Sequence, residues 1–388
     1  MSAYLAAASA LVPRIAALAD RADRDRALPP ELVDALADAG LFRLLVPRSV
    51  GGAELDLADY LPVIEVLARA DASTAWCVNQ SCVRATTAAW LDPAVARELF
   101  GQDRAAAIAN GPLPGRAVAV PGGFRLSGRW NFASGCRHAT WLAAVATVVD
   151  GDEPRRRPDG SPDLRHLILP ADQARLEPSW DVAGLRATGS DTFLVDDVFV
   201  PAERAVAVGR DPVRERGPLY RLPMNLLFAS GFAAVTLGTA AAAIEAFVEL
   251  AGGKTPRGAH ALLRDQPLAQ IQTAQAEAQR RAGRAYLLAA VGDAWAAAAR
   301  AAAADAPSIE VEPRAALRLA ATHAIQLSSQ AVDLVYAAAG ASAIYATNPI
   351  QRRFQDIHVA TQHIQGRLAH YESIGRHLLG LDPDPLWL

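Results

Sequence analysis

A chain of 388 residues has room for two or three domains and a sizeable core, which excludes a peptide-sized or disulfide-stapled fold. With 38 basic against 41 acidic side chains, a net charge of -3 and 52% hydrophobic residues, it carries no overall basic field for nucleic acid or an anionic membrane. The three cysteines, Cys77, Cys82 and Cys136, are odd in number and form no C-x-x-C pair, so neither a disulfide framework nor a zinc site is indicated and a reducing cytoplasm fits.

The N-terminal stretch is apolar, has no basic region ahead of it and runs into Arg14, Asp20, Arg21 and Asp23, which predicts a helix and no export signal. A second helix is expected after Pro29-Pro30, ending near Gly40, and apolar residues at helical spacing predict a third over 57–71. Asp92 followed by Pro93 reads as the cap and first turn of another. From about 115 to 205 the pattern changes to period two with Gly and Pro turns, so a β-domain of short strands is expected, with a polar hairpin tip at 151–163. From about 222 the chain is helical again and rich in alanine. Leu226 to Ile244 is nineteen residues without a charge, long enough to span a membrane, but its Ala, Gly, Ser and Thr content and lack of flanking anchors predict a helix buried in a bundle.

Four passages in order, VPRSVGGAELDLADYLPVIEVLARADASTAW, GGFRLSGRWNFASG, GLRATGSDTFLVDDVFVP and GASAIYATNPIQRRFQDIHVATQHIQG, resemble the acyl-CoA dehydrogenase superfamily over nearly the whole chain. The resemblance implies a mainly α fold with a central β-domain: a helical N-terminal domain at 1–114, a β-barrel at 115–221 and a C-terminal four-helix bundle at 222–388. The last passage is most similar to the oxygenase components of two-component flavin-dependent monooxygenases. That branch implies reduced flavin, FMN or FAD, from a separate reductase, a small-molecule substrate, a C4a-hydroperoxyflavin and a homotetramer. No G-x-G-x-x-G passage follows a strand to bind a nicotinamide cofactor, in keeping with a separate reductase.

A flavin needs a hydrogen-bond partner at N5, an apolar wall on its ring and donors for its phosphate. Trp130, Asn131, Phe132, Ala133 and Ser134 supply aromatic rings, a hydroxyl and backbone N–H groups in five consecutive residues, and the resemblance puts Ser134 at N5. Read alone, Trp130 and Phe132 on a strand are ordinary core. By the same resemblance, Trp180 lies near the ring and Asn110 faces the pyrimidine edge or active-site oxygen. Arg257 is a candidate phosphate contact, or else an ordinary surface arginine.

The dehydrogenases need a carboxylate base for the α-proton. Their Glu stands eight residues after an Arg-Asp pair, and here the eighth residue after Asp356 is Ile364. The alternative position, on the first bundle helix, falls in the uncharged run 226–244. In its place stands Asp356-x-His358-x-x-x-x-His363, from which His363 is expected to be catalytic, as an imidazole titrating near neutrality, and His358 structural. Their spacing of five does not stack them on one helical face, so no metal site is expected. Several aromatic hydroxylases of this branch have a His near Arg84, which this chain lacks, so Arg84 either meets an acidic substrate or forms a salt bridge. A flavin-dependent hydroxylation of an aromatic or heteroatom centre is the expected activity. A dehydrogenase or oxidase with a displaced base, and a flavin-free scaffold, are the alternatives.

Overall fold

The computed structural model describes residues 2–101 and 107–382, with side chains throughout except at 112–114. The N-terminal region holds five helices: α1 (Ala3–Asp25), α2 (Pro30–Asp38), α3 (Leu57–Ala70), α4 (Ala72–Ala85) and α5 (Pro93–Phe100). Their starts follow from the sequence. Pro30 opens α2, Asp56 accepts from the Asp59 N–H at α3, Asp71 accepts from the Thr74 N–H at α4 (2.7 Å), and Asp92 caps α5. Every residue of α4 is buried, which removes any apolar stripe and explains why periodicity did not reveal it.

Eight strands follow: β1 (Ile108–Val120), β2 (Gly123–Trp130), β3 (Trp141–Asp150), β4 (Glu153–Pro154), β5 (Leu164–Pro170), β6 (Arg175–Glu177), β7 (Thr192–Pro201) and β8 (Ala205–Val206). They form one mixed sheet in the order β6-β7-β2-β1-β3-β5-β8, with β4 on β3 and only the β1–β3 pair parallel. The expected β-barrel is therefore corrected to an open sheet: β6 and β8 are its two edges and do not pair. Three residues in β6 and two in β8 are too few for a closing ladder. Alternating strands signal a two-faced sheet but are silent on whether its first and last members meet. β1 begins at Ile108, ahead of the boundary expected at 115.

One face of the sheet turns to the helices. Ile108, Ala143 and Ile168 belong to the core shared with them, whereas Ala109, Ala144 and Leu167 fill the sheet's own core. Asn110 pairs with Ala143, and Ala143 with Ile168, so alternation puts Asn110 and His166 on the helix-facing side.

The C-terminal region packs α6 (Met224–Gly253), α7 (Pro267–Ala303), α8 (Val311–Ala339) and α9 (Pro349–Thr361), followed by α10 (Ala369–Leu378). Both α1 and α6 are long and apolar enough to cross a membrane, but the apolar window of α6 is 94% buried inside the protein. Small residues let it sit there. A Cβ on Gly231 would fall 1.7 Å from Asn79 Oδ1, and one on Gly238 would fall 2.3 Å from the Glu65 carbonyl. The side of α6 nearest α4 carries Phe232, stacked on Trp76, and Phe228, beside the Arg84 guanidinium.

Candidate active site

Three hydroxyls form a chain at the junction of sheet, α4 and bundle. The Thr188 Oγ1 hydroxyl donates to the Leu185 carbonyl (2.7 Å), Thr188 and Ser190 are 2.7 Å apart, and Ser190 and Ser134 are 2.8 Å apart. A hydroxyl has one proton and a carbonyl has none, so the order is forced. Thr188 spends its proton on Leu185, Ser190 gives its own to Thr188, and Ser134 gives its own to Ser190. Trp76 Nε1–H also donates to Ser134 Oγ (3.0 Å), which leaves that oxygen one lone pair and no proton to offer.

The aromatic surroundings are equally specific. Trp76 stacks on Phe232 with centroids 3.9 Å apart, and the His363 ring meets both edge-on, at 5.1 Å and 4.6 Å. His363 lies just after α9, where its Nδ1 accepts from the Gln365 N–H (3.3 Å), so the neutral ring carries its proton on Nε2. Burial first, and the Arg367 charge second, push its pKa down to about 4. The expectation of an imidazole titrating near neutrality is thus corrected: His363 offers a neutral N–H donor at working pH.

The sequence candidates fall in different places. Trp130 is fully buried in the sheet, stacked on Phe193 with its Nε1–H on the Val145 carbonyl (2.8 Å), in a seat left by Gly111, Gly115 and Gly128. Its ring faces the sheet core. Asn131 Oδ1 accepts from Thr192 Oγ1, and the Ala133 N–H donates to the Asp191 carbonyl, so both brace the turn that presents Ser134. Phe132 is different: its φ of 59° turns the ring outward, leaving it 62% exposed and edge-on to Trp180 at 6.2 Å. Trp180 is fixed by its Nε1–H on the Leu185 carbonyl (3.0 Å) and its backbone N–H on Asp191. Asn110 is buried, and its Oδ1 has no partner among the described residues. Arg257 lies in the exposed loop after α6, roughly 30 Å beyond Phe232 by helix rise, so this chain does not bring it to the site. His358 pairs with Asp333 (2.8 Å) and packs against Phe354.

Sequence reasoning missed Trp76, Thr188, Ser190, Phe228, Phe232 and His166. The signals present were Asp71-x-x-Thr74 at the start of α4 and the alternation that puts His166 beside Ile168. No carboxylate among the described residues contacts Ser134, Trp76 or His363. The nearest relevant one in sequence, Asp356, is turned to the Leu185 N–H (2.6 Å), and burial pushes its pKa up to about 7.

The residues present fit a flavin in its reduced form. They supply an acceptor without a proton at Ser134, an exposed aromatic edge at Phe132 and Trp180, and an unpartnered buried acceptor at Asn110. The comparisons agree. Residues 230–367 match the family described as acyl-CoA dehydrogenase, C-terminal domain, and residues 6–96 the N-terminal domain family. The chain is 31% identical to indole-3-acetate monooxygenase of Pseudomonas putida over 94% of its length and 91% of that protein. It is 32% identical to the HsaA oxygenase subunit of a flavin-dependent monooxygenase from Mycobacterium tuberculosis, over 98% and 96%. The crystal structure of XiaF from Streptomyces sp. with FADH2 and glycerol superposes with a TM-score of 0.88 at 28% identity, covering 99% of this chain and 97% of that one. The chain belongs to the acyl-CoA dehydrogenase-fold family, in the branch of flavin-dependent monooxygenase oxygenase components, which act on small molecules with reduced FAD or FMN from a separate reductase.

Proposed function

We propose that this protein oxygenates an aromatic ring or heteroatom of a small molecule, with Ser134 and His363 on either side of the reacting atoms. Bound reduced flavin supplies the two electrons with which one oxygen atom of O2 enters the substrate and the other leaves as water. Ser134 would accept from the flavin N5–H, Phe132 and Trp180 would cover the ring, and Asn110 would meet its pyrimidine edge. His363 would hold its Nε2–H on the oxygen side of the substrate, and Trp76 and Phe232 would exclude water.

The observation that carries the reading is the proton order along Leu185, Thr188, Ser190 and Ser134. A dehydrogenase receives hydride on oxidised flavin, whose N5 has no proton and needs a donor. Here the facing hydroxyl has already spent its proton, which supports a site made for the reduced ring. The missing carboxylate base points the same way, and two relatives are named for aromatic substrates, indole-3-acetate and resorcinol. Anaerobic titration with FMN, FMNH2, FAD and FADH2, followed by admission of oxygen, tests it. Tighter binding of the reduced forms is expected, and preference for the oxidised forms would refute it.

The protein is also taken to be a cytoplasmic homotetramer. Three buried, unpaired cysteines support a reducing compartment. Leu268, Ile271 and Tyr286 leave apolar side chains exposed along α7, which supports burial against a second copy. Arg257 would then reach a flavin phosphate only across such a contact.

A further inference from the structure

Arg84 ends α4 on the side that faces the sheet and α6. It is 4% exposed, and its guanidinium lies 5.6 Å from the centre of the Phe228 ring. Its Nη1 donates to His166 Nδ1 (2.8 Å), while its buried Nε has no acceptor among the described residues. No carboxylate among the described residues forms an ion pair with it. Arg137 and Arg157, both less buried, have one, at 2.6 Å from Asp191 and 3.0 Å from Asp163, and Arg353, at 8% exposed, donates instead to the Ala70 carbonyl (2.9 Å); Arg84 has neither kind of oxygen among the described residues. Arginine only donates, so His166 must accept on Nδ1 and carry its proton on Nε2. It is therefore a neutral prop for the guanidinium and not a counter-ion. Burial, with the Arg84 charge second, keeps its pKa well below the usual value.

A buried cation held by a neutral base and an aromatic face is incomplete until an anion arrives. Its position says which anion. Trp76, Gln80 and Arg84 are four residues apart on one stripe of α4, and Gln80 is buried as well. Trp76 meets Phe232 where Arg84 meets Phe228, so the two helices carry matched ends of one layer. One end holds Ser134 and His363. The other holds Arg84 and His166, about 12 Å away along α4 less the reach of the arginine side chain. Phe228 and Phe232, 5.9 Å apart and nearly parallel, form the wall between them.

We propose that Arg84, held in place by His166, binds the carboxylate of the substrate, so that the substrate is an aromatic acid whose ring lies along Phe228 and Phe232 and whose reacting atom lies at the Ser134 and His363 end. The proposal rests on the reading of that end as the oxygenation site. It makes Arg84 a specificity residue: a neutral analogue would leave the cation unpaired, and rejection of such analogues is stronger than any apolar pocket achieves.

The test is a binding panel on the flavin-free protein, read by quenching of tryptophan fluorescence and by calorimetry. The probes are 4-hydroxyphenylpropionate, indole-3-propionate and 1-naphthylacetate, each beside its own primary amide. The wild type is expected to bind at least one acid about tenfold or more tighter than its amide. Arg84→Gln should bring that ratio to about one, and Arg84→Lys should keep part of it. Absence of any acid preference in the wild type up to millimolar concentration overturns the proposal, as does its survival in Arg84→Gln. The wild-type comparison stands even where a variant fails to fold. The reduced-flavin titration on the wild type is a separate readout, so failure of the oxygenation reading is told apart from failure at Arg84.

Discussion

Replacing Ser190 by alanine takes away the acceptor for the Ser134 proton without touching Ser134 itself. In the wild type that proton is committed, because Thr188 has spent its own on the Leu185 carbonyl. A flavin N–H set against Ser134 Oγ gains a hydrogen bond of about 0.5–1.5 kcal/mol, whereas an unprotonated ring nitrogen meets a second acceptor and is left unsatisfied, at about 1–3 kcal/mol. With some relief from movement of the ring, the preference for reduced flavin is on the order of 1–3 kcal/mol, or roughly 5- to 150-fold in Kd. In Ser190→Ala the Ser134 hydroxyl turns freely and donates to the oxidised ring, so the ratio should fall to within about threefold of unity, chiefly through tighter binding of the oxidised form. Thr188→Val acts one step further along and should give the same shift, which a local cavity at Ser190 would not. Anaerobic titrations of the three proteins with FMN and FMNH2 read the ratio directly. An unchanged ratio in both variants, with melting temperatures intact, refutes the proton-order reasoning.

His363→Ala should leave reduced-flavin binding nearly intact while product formation falls by roughly 10²- to 10⁴-fold. Because the His363 pKa is pushed down to about 4, its neutral form persists above that pH, so the wild-type rate should show no limb near 6.5 that His363→Ala abolishes. Ser134→Ala should divert reducing equivalents to hydrogen peroxide, measured against product in a peroxidase-coupled assay; unaltered coupling would remove Ser134 from the site. Asp356→Asn keeps an acceptor for the Leu185 N–H but removes a carboxyl that burial pushes up to about 7, with Asp71 adding and Arg353 and Arg352 opposing. The folded state holds that proton more tightly than the unfolded one, so the contribution is full below about pH 4 and is lost as pH rises through 7. Thermal melts at pH 5 and 8 should therefore show a smaller decline for the variant, and parallel declines would count against it. Light scattering should give a tetramer, and a monomer at micromolar concentration would sink the proposed assembly.

The helices that sequence reveals are those with punctuation: Pro30 and Asp92 mark starts, and the uncharged run 226–244 marks a buried element. α4 escaped because all of its face is buried, so no period distinguishes it, and with it went Trp76 and half of the site's wall. Ser134 was legible through its strand passage. Trp130, in the same passage, is seated in the sheet because three glycines make room for it, and two of them, Gly111 and Gly115, lie on the neighbouring strand β1, a pairing that alternation within one strand does not show. The sheet's opening depends on the lengths of β6 and β8, too short to leave a period-two signal. Arg84 could be singled out only as a departure. That its partner is the neutral His166, on a strand about eighty residues away, is a fact of the fold.

Leu185 ties these observations together. It stands at φ 51°, a conformation disfavoured for a branched side chain, and both of its backbone groups are used. Its N–H goes to Asp356 on α9, and its carbonyl receives the Thr188 hydroxyl and the Trp180 indole. The close approach of α9 requires glycine next door, since a Cβ on Gly184 would fall 2.2 Å from the Gln355 carbonyl. The bundle therefore fixes the direction of the Leu185 carbonyl, and that carbonyl sets the proton order along three hydroxyls ending at Ser134. On the proposed reading of Ser134, a residue with no reactive group would decide which redox form of the cofactor the site prefers. A strained loop held from the bundle side is what allows the sheet and the helix bundle to present one hydrogen-bonding surface at their junction.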